Sequence, residues 1–424
     1  MESLLIYIGI FGVLFAIGIP IVLGLSLSAI VMLMLKDVGL MVFAQKFIVS
    51  LDNYSLTAMF FFILAGEIMN GGGMTRRIVG LVSRLVKDIP GGLAIVAVLS
   101  CALFAAINGS AIATSIAISA ILYPPMVRQG YPPAFAASVI AAGGVVGPII
   151  PPSIPMIVYG ATTGDSVAAL FTGGLILGIL VVVGEVLAVY LVSRARGYGI
   201  GCKPLEVGDS SNAVWALAFP VLIFGVIVGG LMTATEASSL AVMYAWFVGA
   251  FVFREFKYRE LPEMVYRAMK GSGMIMAVVG SATAVGWVLT YERVPQQITE
   301  AMVKTISSPT MFMVVSFGIL FVVGMIMDLT PAILILTPIF VGPVQSFGID
   351  PIYFGVFFCS VLTAGLITPP VGTLIYLGCA TSRTSIGEMV RELIPLIVAV
   401  YAALFLSAVI PEIITYLPRQ VFHM

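Results

Sequence analysis

Two short polar turns interrupt long apolar runs of this chain, and their side chains carry groups that bind ions. Asn108 and Ser110 stand on either side of one glycine, and Asp328 and Thr330 stand on either side of one leucine. Carboxylate, amide, hydroxyl and carbonyl oxygens are the ligands that hard cations such as sodium prefer. The sequence therefore predicts cation chemistry at both turns.

Two proline-rich stretches follow the polar turns, GPIIPPSIPMIVYG from residue 147 and GLITPPVGTLIYLG from residue 365. Proline removes a backbone donor and costs about 3 kcal/mol or more inside a helix. Unwound backbone at membrane depth is tolerated only where it is buried in protein or lines an aqueous cavity. Such a break exposes carbonyls that suit a cation, and helix N-termini whose positive partial charge suits a carboxylate.

These arguments give two candidate cation sites and one candidate substrate site. The first cation site comprises Asn108, Ser110, Gly147 and Ser153, and the second comprises Asp328, Thr330, Gly365 and Thr368. The candidate substrate-binding residues are Ser110, Pro151, Pro152, Pro369, Pro370 and Thr373. Three alternatives stay open: a hydroxyl that bonds its own i−4 carbonyl, an Asn-Gly pair that is only a turn, and prolines that only kink their helices.

Bulk composition indicates the kind of element that holds these residues. The chain is 60% hydrophobic and 9% charged, its mean hydropathy is +1.15, and soluble domains carry about 25% charged residues. Apolar runs of the roughly 20 residues that span a bilayer recur throughout, without the alternating segments of a β-barrel. The fold class predicted is an all-α polytopic membrane protein, embedded in the lipid bilayer.

Composition also excludes several functions. The formal net charge is zero, so nothing favours a nucleic-acid partner. The single histidine, His423, is next to the last residue, so no histidine-based triad or zinc site can be assembled. No GxxxxGK[ST] phosphate loop is present. We therefore expect no enzyme activity and no cofactor.

The two proline breaks are copies of one another. A shift of 218 positions aligns them and extends upstream without a gap, which predicts a first repeat over 1–200, a linker over 201–212 and a second repeat over 213–424. The matched identities are Pro125 with Pro343, Gly130 with Gly348, Pro133 with Pro351, Gly147 with Gly365, Ile149 with Ile367, Pro151 with Pro369, Pro152 with Pro370, Ile157 with Ile375, and Gly160 with Gly378.

Charge predicts that the repeats are inverted, because corresponding loops have opposite Lys+Arg bias and positive residues concentrate in the cytoplasm. Both termini are then periplasmic, and five of the twenty Lys+Arg lie outside: Lys36, Lys46, Arg293, Lys304 and Arg419. Ten crossings are expected near 4–20, 22–36, 54–73, 133–161, 168–193, 213–232, 236–253, 271–290, 351–378 and 394–416. Re-entrant hairpins are expected over 91–125 and 309–345, amphipathic arms over 37–52 and 255–270, and broken helices over 133–161 and 351–378.

Four intramembrane acids are functional candidates, as such acids are by default. Asp328 is the strongest because it lies on a predicted hairpin tip. Glu236 is expected to begin a helix behind a threonine cap, and a structural role and a coupling role both stay open. Glu67 and Glu185 lie inside crossings but away from the breaks, so we interpret them as packing or interfacial acids.

An ordered set of motifs resembles the large membrane subunit of TRAP transporters, the tripartite ATP-independent periplasmic transporters of DctM or SiaM type. The motifs span nearly the whole chain and read GEIMNGGGMTRRI, NGSAIATS, GPIIPPSIPMIVYGA, LMTATEAS, GMIMDLTPAILILTPI and GLITPPVGTLIY. The family pattern has an acid a few residues past the first tip, where this chain has Thr114. That departure bears on the charge of the first cation site.

The resemblance implies a sodium-coupled importer of organic acids, such as C4-dicarboxylates or sialic acid, in a bacterial inner membrane. It implies two partners, a small four-helix membrane subunit of DctQ type, expected as a separate chain, and a periplasmic binding protein of DctP type. It also implies an elevator-type ion-transporter architecture. Its scaffold comprises the first, second, sixth and seventh of the ten predicted crossings and the two amphipathic arms. Two alternatives remain: a stand-alone sodium/divalent-anion symporter, and an intramembrane enzyme or assembly factor.

Overall fold

The computed structural model describes residues 2–86, 89–199 and 212–422, and within those ranges the chain is built from helices. The predicted linker 201–212, apart from its last residue, and His423 lie outside the described residues. The first ten helices are α1 (Glu2–Ala16), α2 (Ile21–Leu35), α3 (Met41–Leu51), α4 (Tyr54–Gly71), α5 (Met74–Leu85), α6 (Gly92–Asn108), α7 (Ala111–Arg128), α8 (Pro133–Val145), α9 (Ile154–Thr163) and α10 (Val167–Arg196).

The second ten helices also include two helices joined by a polar turn, followed by a helix that a proline break interrupts. They are α11 (Ala213–Val228), α12 (Ala234–Phe247), α13 (Leu261–Tyr291), α14 (Val294–Thr305), α15 (Pro309–Ile326), α16 (Leu329–Ser346), α17 (Pro351–Ala364), α18 (Thr373–Ser382), α19 (Ile386–Val409) and α20 (Glu412–Phe422). A π-helical turn covers Val248–Val252, and 3-10 turns cover Tyr258–Glu260 and Gly365–Ile367. The inverted relation between the two halves stays a prediction.

Eight helices in the described part of the chain are long and apolar enough to cross a membrane, and this confirms the all-α polytopic class. They are Tyr54–Gly71, Ala111–Arg128, Val167–Arg196, Ala234–Val252, Tyr258–Tyr291, Pro309–Ile326, Leu329–Ser346 and Ile386–Val409. Three of these are arms of the predicted hairpins, so length alone does not separate a crossing from a re-entrant arm. The ten-crossing topology stays a prediction.

Both predicted breaks interrupt their helices. The first helix stops at Val145 and resumes at Ile154, and the second stops at Ala364 and resumes at Thr373 after a 3-10 turn. The peptide bond between the paired prolines is cis in each break. Helices from the two halves pack around these breaks, with α8 against α18 and α9 against both α16 and α17. The two breaks therefore belong to one packed core.

One predicted arm has different bounds in the structure. Residues 261–270 of the predicted arm 255–270 continue without interruption into the following crossing, because both belong to α13, a single helix of 31 residues. Gly271 and Gly273 mark the expected boundary in the sequence. Packing of α13 against α2, α3 and α4 outweighs the roughly 1 kcal/mol by which each glycine disfavours a helix interior.

A threonine cap begins α12, as the sequence predicts for Glu236. The Thr233 hydroxyl accepts a hydrogen bond from the Glu236 backbone N–H at 3.3 Å, and the Thr233 N–H donates to Glu236 Oε2 at 2.8 Å. This reciprocal capping box satisfies two of the backbone donors that a helix start leaves without an intrahelical partner. It gives Glu236 a structural role at the start of the helix.

A partly buried ion pair fixes the start of the second arm to α5. Arg77 Nη1 lies 2.8 Å from Glu255 Oε1, with 7% and 32% of the two side chains exposed. The Arg77 guanidinium also lies 3.9 Å from the centre of the Phe253 ring and donates to the Gly73 carbonyl oxygen at 3.1 Å. Because Arg77 is buried, removing its carboxylate partner leaves a charge in a poorly solvated place.

Glu255→Gln is therefore expected to destabilise the folded protein by about 2 kcal/mol, less than the roughly 3–5 kcal/mol for a fully buried pair because the carboxylate is partly solvated. The measurement is the apparent unfolding temperature in detergent, expected to fall by several degrees. Lys257→Gln is the control, because it removes an exposed pair with Glu260 that contributes little. Equal unfolding temperatures for the two variants would contradict this role of Glu255.

Candidate functional site

The first polar turn joins α6 to α7 and holds its amide side chain rigidly. Asn108 Oδ1 accepts two hydrogen bonds, from the Ser110 backbone N–H at 2.9 Å and from the Thr114 hydroxyl at 3.1 Å. Asn108 is 3% exposed, and Thr114 is completely buried. Among the described residues the Asn108 Nδ2 group has no hydrogen-bond partner. The turn therefore offers an amide donor, because the two lone pairs of Oδ1 are already used.

This turn is in close contact with the first proline break. A Cβ atom at Gly109, whose φ is +62°, would lie 2.4 Å from the Pro152 carbonyl oxygen and 3.2 Å from the Ile154 nitrogen. A Cβ atom at Gly147 would lie 3.0 Å from the Ser110 carbonyl oxygen. The structure thus brings the tip and the break together through backbone contacts that only glycine permits.

Two helices begin where this tip and break meet. Ser110 caps α7 by accepting from the Ala113 N–H at 3.4 Å, and Ser153 caps α9 by accepting from the Met156 N–H at 3.3 Å. The Ser153 hydroxyl also donates to the Pro148 carbonyl oxygen. Each helix start carries about half a positive charge. The junction therefore favours an anionic group beside it, as the sequence predicts for a substrate carboxylate.

The second polar turn joins α15 to α16 and meets the second break in the same way. A Cβ atom at Gly365 would lie 2.2 Å from the Gly324 carbonyl oxygen, and the Val371 N–H donates to the Met325 carbonyl oxygen at 3.2 Å. Asp328 precedes α16, and its side chain does not cap that helix. The Asp328 carboxylate is therefore not fixed by a capping hydrogen bond at the start of α16.

Two of the four residues in the second predicted cation set, Asp328 and Gly365, line one cavity of about 170 Å³. Its lining includes Asp328, Gly365, Gly372 and Thr373, and the Thr373 hydroxyl has no hydrogen-bond partner within the described ranges. The carboxylate and the hydroxyl among these lining residues are oxygen ligands that fit a hard cation such as sodium. The lining does not include Thr330, which lies in the first turn of α16.

The remaining predicted residues, Thr368 and the four prolines of the breaks, do not line this cavity and differ in burial. The Thr368 hydroxyl donates to the Ala364 carbonyl oxygen at 2.9 Å and lies 3.0 Å from the Tyr401 hydroxyl oxygen, so the i−4 alternative applies to it. Pro151 and Pro152 are buried, whereas Pro370 is exposed. Pro369 has intermediate exposure. Their role in binding substrate stays a prediction.

The first tip borders a larger cavity of about 510 Å³. Asn108 and Ser110 line it from the hairpin, and Glu67, Asn70 and Arg267 line it from α4 and α13. The structure does not put the two tips into a common cavity, since the linings of the two cavities share no residue among those described.

Thr114 orients the first tip, because its hydroxyl donates to Asn108 Oδ1 at 3.1 Å. Thr114→Val keeps the shape and removes the bond to Asn108 Oδ1. We expect the initial uptake rate to fall about fivefold, the factor for the roughly 1 kcal/mol of one hydrogen bond. Thr114→Ser restores the donor and is expected to transport at nearly the wild-type rate. Equal rates for the valine and serine variants would remove this role.

Comparison with known proteins identifies the family. The profile of the family described as the DctM component of tripartite ATP-independent periplasmic transporters matches residues 8–413. The chain belongs to the DctM family. It is therefore a TRAP transporter large permease subunit, as the ordered motifs predict.

Several curated relatives are similar to this DctM-family chain over nearly its whole length. The 2,3-diketo-L-gulonate TRAP transporter large permease protein YiaN of Escherichia coli is 37% identical, over 97% of this chain and 98% of that one. The C4-dicarboxylate permease DctM of Pseudomonas aeruginosa is 36% identical, over 94% and 93%. The isethionate permease DctMQ of Oleidesulfovibrio alaskensis is 34% identical, over 97% of this chain and 66% of that one.

Solved structures with low sequence identity share the fold of this DctM-family chain. The Alcanivorax borkumensis YdaH transporter has a TM-score of 0.67 at 12% identity and covers 89% of this chain and 88% of its own. Neisseria gonorrhoeae MtrF has a TM-score of 0.64 at 13% identity and covers 89% and 83%. Both are membrane transporters, which agrees with the all-α polytopic class.

Sequence reasoning missed one charged pair at the site of this DctM-family chain. Glu67, interpreted as a packing or interfacial acid, lines the cavity at the first tip, and its Oε2 lies 3.6 Å from Arg267 Nη1. Glu185 is completely buried in α10, and its carboxylate has no hydrogen-bond partner within the described part of the chain. The only sequence signals for the pair of Glu67 and Arg267 were an acid inside a predicted crossing and an arginine on a predicted arm. The two residues are 200 positions apart in the sequence.

Proposed function

We propose that this permease subunit imports a small organic acid, with the inward sodium gradient as the driving force. The observation that carries the proposal is the repeated arrangement of a polar helix-hairpin tip against a proline break. At the second tip the Asp328 carboxylate borders a cavity with Thr373 and backbone groups, a set that suits sodium. At the first tip two capped helix starts suit an anion.

The substrate class follows from charge at the first tip and from the relatives. Three relatives are named as permeases for 2,3-diketo-L-gulonate, C4-dicarboxylates and isethionate, all of which are small organic anions. We propose that the substrate of this chain is a small organic anion with a carboxylate, which includes sialic acid as a candidate. A helix start and an amide donor recognise a carboxylate in its ionised form.

The partners follow from the tripartite family. A DctQ-type small membrane subunit and a DctP-type periplasmic binding protein would complete the transporter, and the relative named DctMQ supports the first of them. The assembly would lie in a bacterial inner membrane with both termini of this chain in the periplasm. The packed core of tips and breaks would move as one unit against a scaffold that includes α1, α2, α11 and α12.

The test is uptake by proteoliposomes that contain this chain, the small subunit and the binding protein. Labelled succinate, 2,3-diketo-L-gulonate, isethionate and sialic acid form the panel, with an imposed sodium gradient or with potassium in its place. We expect one of these anions to accumulate only with sodium and only with the binding protein. Accumulation of equal extent in potassium, or full activity without the binding protein, would contradict the proposal.

A further inference from the structure

The cavity beside the first tip combines buried hairpin groups with a charged pair from outside the hairpin. It lies between α4, α13 and the two hairpin helices α6 and α7, and it has a volume of about 510 Å³. Its polar lining consists of Glu67, Asn70, Asn108, Ser110 and Arg267. The rest of the lining is mainly apolar, which lowers the local dielectric and strengthens electrostatic interactions there.

The charged pair is held loosely. Arg267 Nη1 lies 3.6 Å from Glu67 Oε2, which is longer than a hydrogen bond between these atom types. Arg267 Nε donates to Glu263 Oε1 at 3.2 Å, and that glutamate is on the outer surface, with 58% of its side chain exposed. A guanidinium has five donors in a planar fork. Arg267 therefore keeps donors that a second carboxylate could use.

The uncharged groups of the cavity are also donors. Asn108 Oδ1 accepts from Ser110 and Thr114, and Asn70 Oδ1 accepts from the Thr75 hydroxyl at 3.2 Å. Their amide nitrogens remain as donors, and in the described structure Asn108 Nδ2 has no partner although the residue is 97% buried. A buried donor without a partner is unfavourable, so this cavity favours an acceptor that fills it.

We propose that this cavity binds the carboxylate of the transported anion, with Asn108 Nδ2 and the Arg267 guanidinium as its donors. Glu67 is the internal competitor, because its carboxylate lies 3.6 Å from the guanidinium and gives way when the substrate carboxylate arrives. The inference rests on the proposed function for its ligand class and adds a recognition site to it. The negative charge of Glu263 opposes anion entry only weakly, because that side chain is exposed and screened by salt.

If Glu67 competes with the substrate for Arg267, Arg267→Gln and Glu67→Gln should have different effects on the half-saturating anion concentration. Arg267→Gln removes a charge-assisted bond to the substrate, so the half-saturating anion concentration is expected to rise about 10- to 100-fold. Glu67→Gln removes the competitor and keeps the side-chain shape, so the half-saturating concentration is expected to stay level or fall. If the pair were only structural, both substitutions would act alike, because each breaks the same contact.

The measurement is anion exchange in proteoliposomes of the complete transporter, with sodium on both sides and the binding protein constant outside. The probe is the panel anion that the wild type transports best, and its concentration inside the vesicles is varied. Lys270→Gln is the matched control, because this exposed lysine lies one turn further along α13 and does not line the cavity. Arg267→Lys is expected to give an intermediate value, because lysine keeps the charge and loses the fork.

The outcomes separate this inference from the proposed function. If the wild type is active and the half-saturating anion concentrations of Arg267→Gln and Lys270→Gln are equal, the carboxylate site is overturned. The proposed function is not contradicted by that result. If Glu67→Gln raises the half-saturating anion concentration as much as Arg267→Gln does, the carboxylate site is also overturned, because the pair is then only structural. A wild type that exchanges none of the panel anions overturns the proposed function and this site with it.

Discussion

Gly109→Ala is expected to lower the initial uptake rate by about tenfold or more, because a displacement of about 1 Å in a binding site has effects of this size. Its φ of +62° is in the left-handed region, which costs an L residue roughly 1 kcal/mol. The added Cβ would also stand 2.4 Å from the Pro152 carbonyl oxygen. That oxygen is backbone in a buried break, so relief requires the tip to move away from it.

Gly130→Ala is the matched control for this prediction. Gly130 also follows a helix end and has a φ of +82°, but a Cβ there would meet no atom within 4 Å. Gly130→Ala has the energetic cost of a positive φ but no close contact of the added Cβ, so we expect its uptake rate to remain near that of the wild type. If both alanine variants lose uptake equally, the loss is due to backbone conformation, and close contact between tip and break has no special role.

Asp328→Asn is expected to raise the half-saturating sodium concentration and to lower uptake about tenfold or more, as loss of a charge-assisted ligand worth about 1.5–3 kcal/mol implies. Asparagine keeps the shape and the oxygen ligand but removes the negative charge that offsets the cation. The Asp328 side chain is exposed and caps no helix, so the folded state should survive. Uptake rates measured over a range of sodium concentrations give both quantities.

Asp52→Asn is the control for the loss of a carboxylate. Asp52 is an exposed acid at the end of α3, away from both breaks, and its substitution is expected to leave the sodium dependence unchanged. The unfolding temperature in detergent should be the same for both variants and the wild type. A sodium dependence of Asp328→Asn that matches the wild type would remove Asp328 from the cation site.

Local sequence signals were sufficient for the helices, the breaks and the tips. Proline at 151 and 369 cannot continue a helix, and an Asn-Gly pair between apolar arms favours a turn, so both features follow from a few neighbouring residues. The capping box of Thr233 and Glu236 is equally local. The sequence also identified Asp328 and Thr373, which the structure places at one cavity, because both lie next to a break or a tip.

Signals that depend on packing between distant segments were beyond sequence reasoning. The contact between Glu67 and Arg267 depends on how α4 packs against α13, and no local pattern encodes that distance. The Asn108 amide was expected to offer oxygen to a cation, but its orientation is set by a hydrogen bond from the Thr114 hydroxyl on the next helix, α7. The uninterrupted α13 likewise results from packing that outweighs the propensity of two glycines.

Coupled flux of sodium and anion tests the central claim most directly. In proteoliposomes of the complete transporter, an inward gradient of the transported anion, without a sodium gradient, should drive labelled sodium inward, since coupling between two ligands is reciprocal. We predict a constant ratio of sodium to anion entering, and loss of the sodium flux in Asp328→Asn. Anion entry without any accompanying sodium flux in the wild type would contradict sodium-coupled import by this chain.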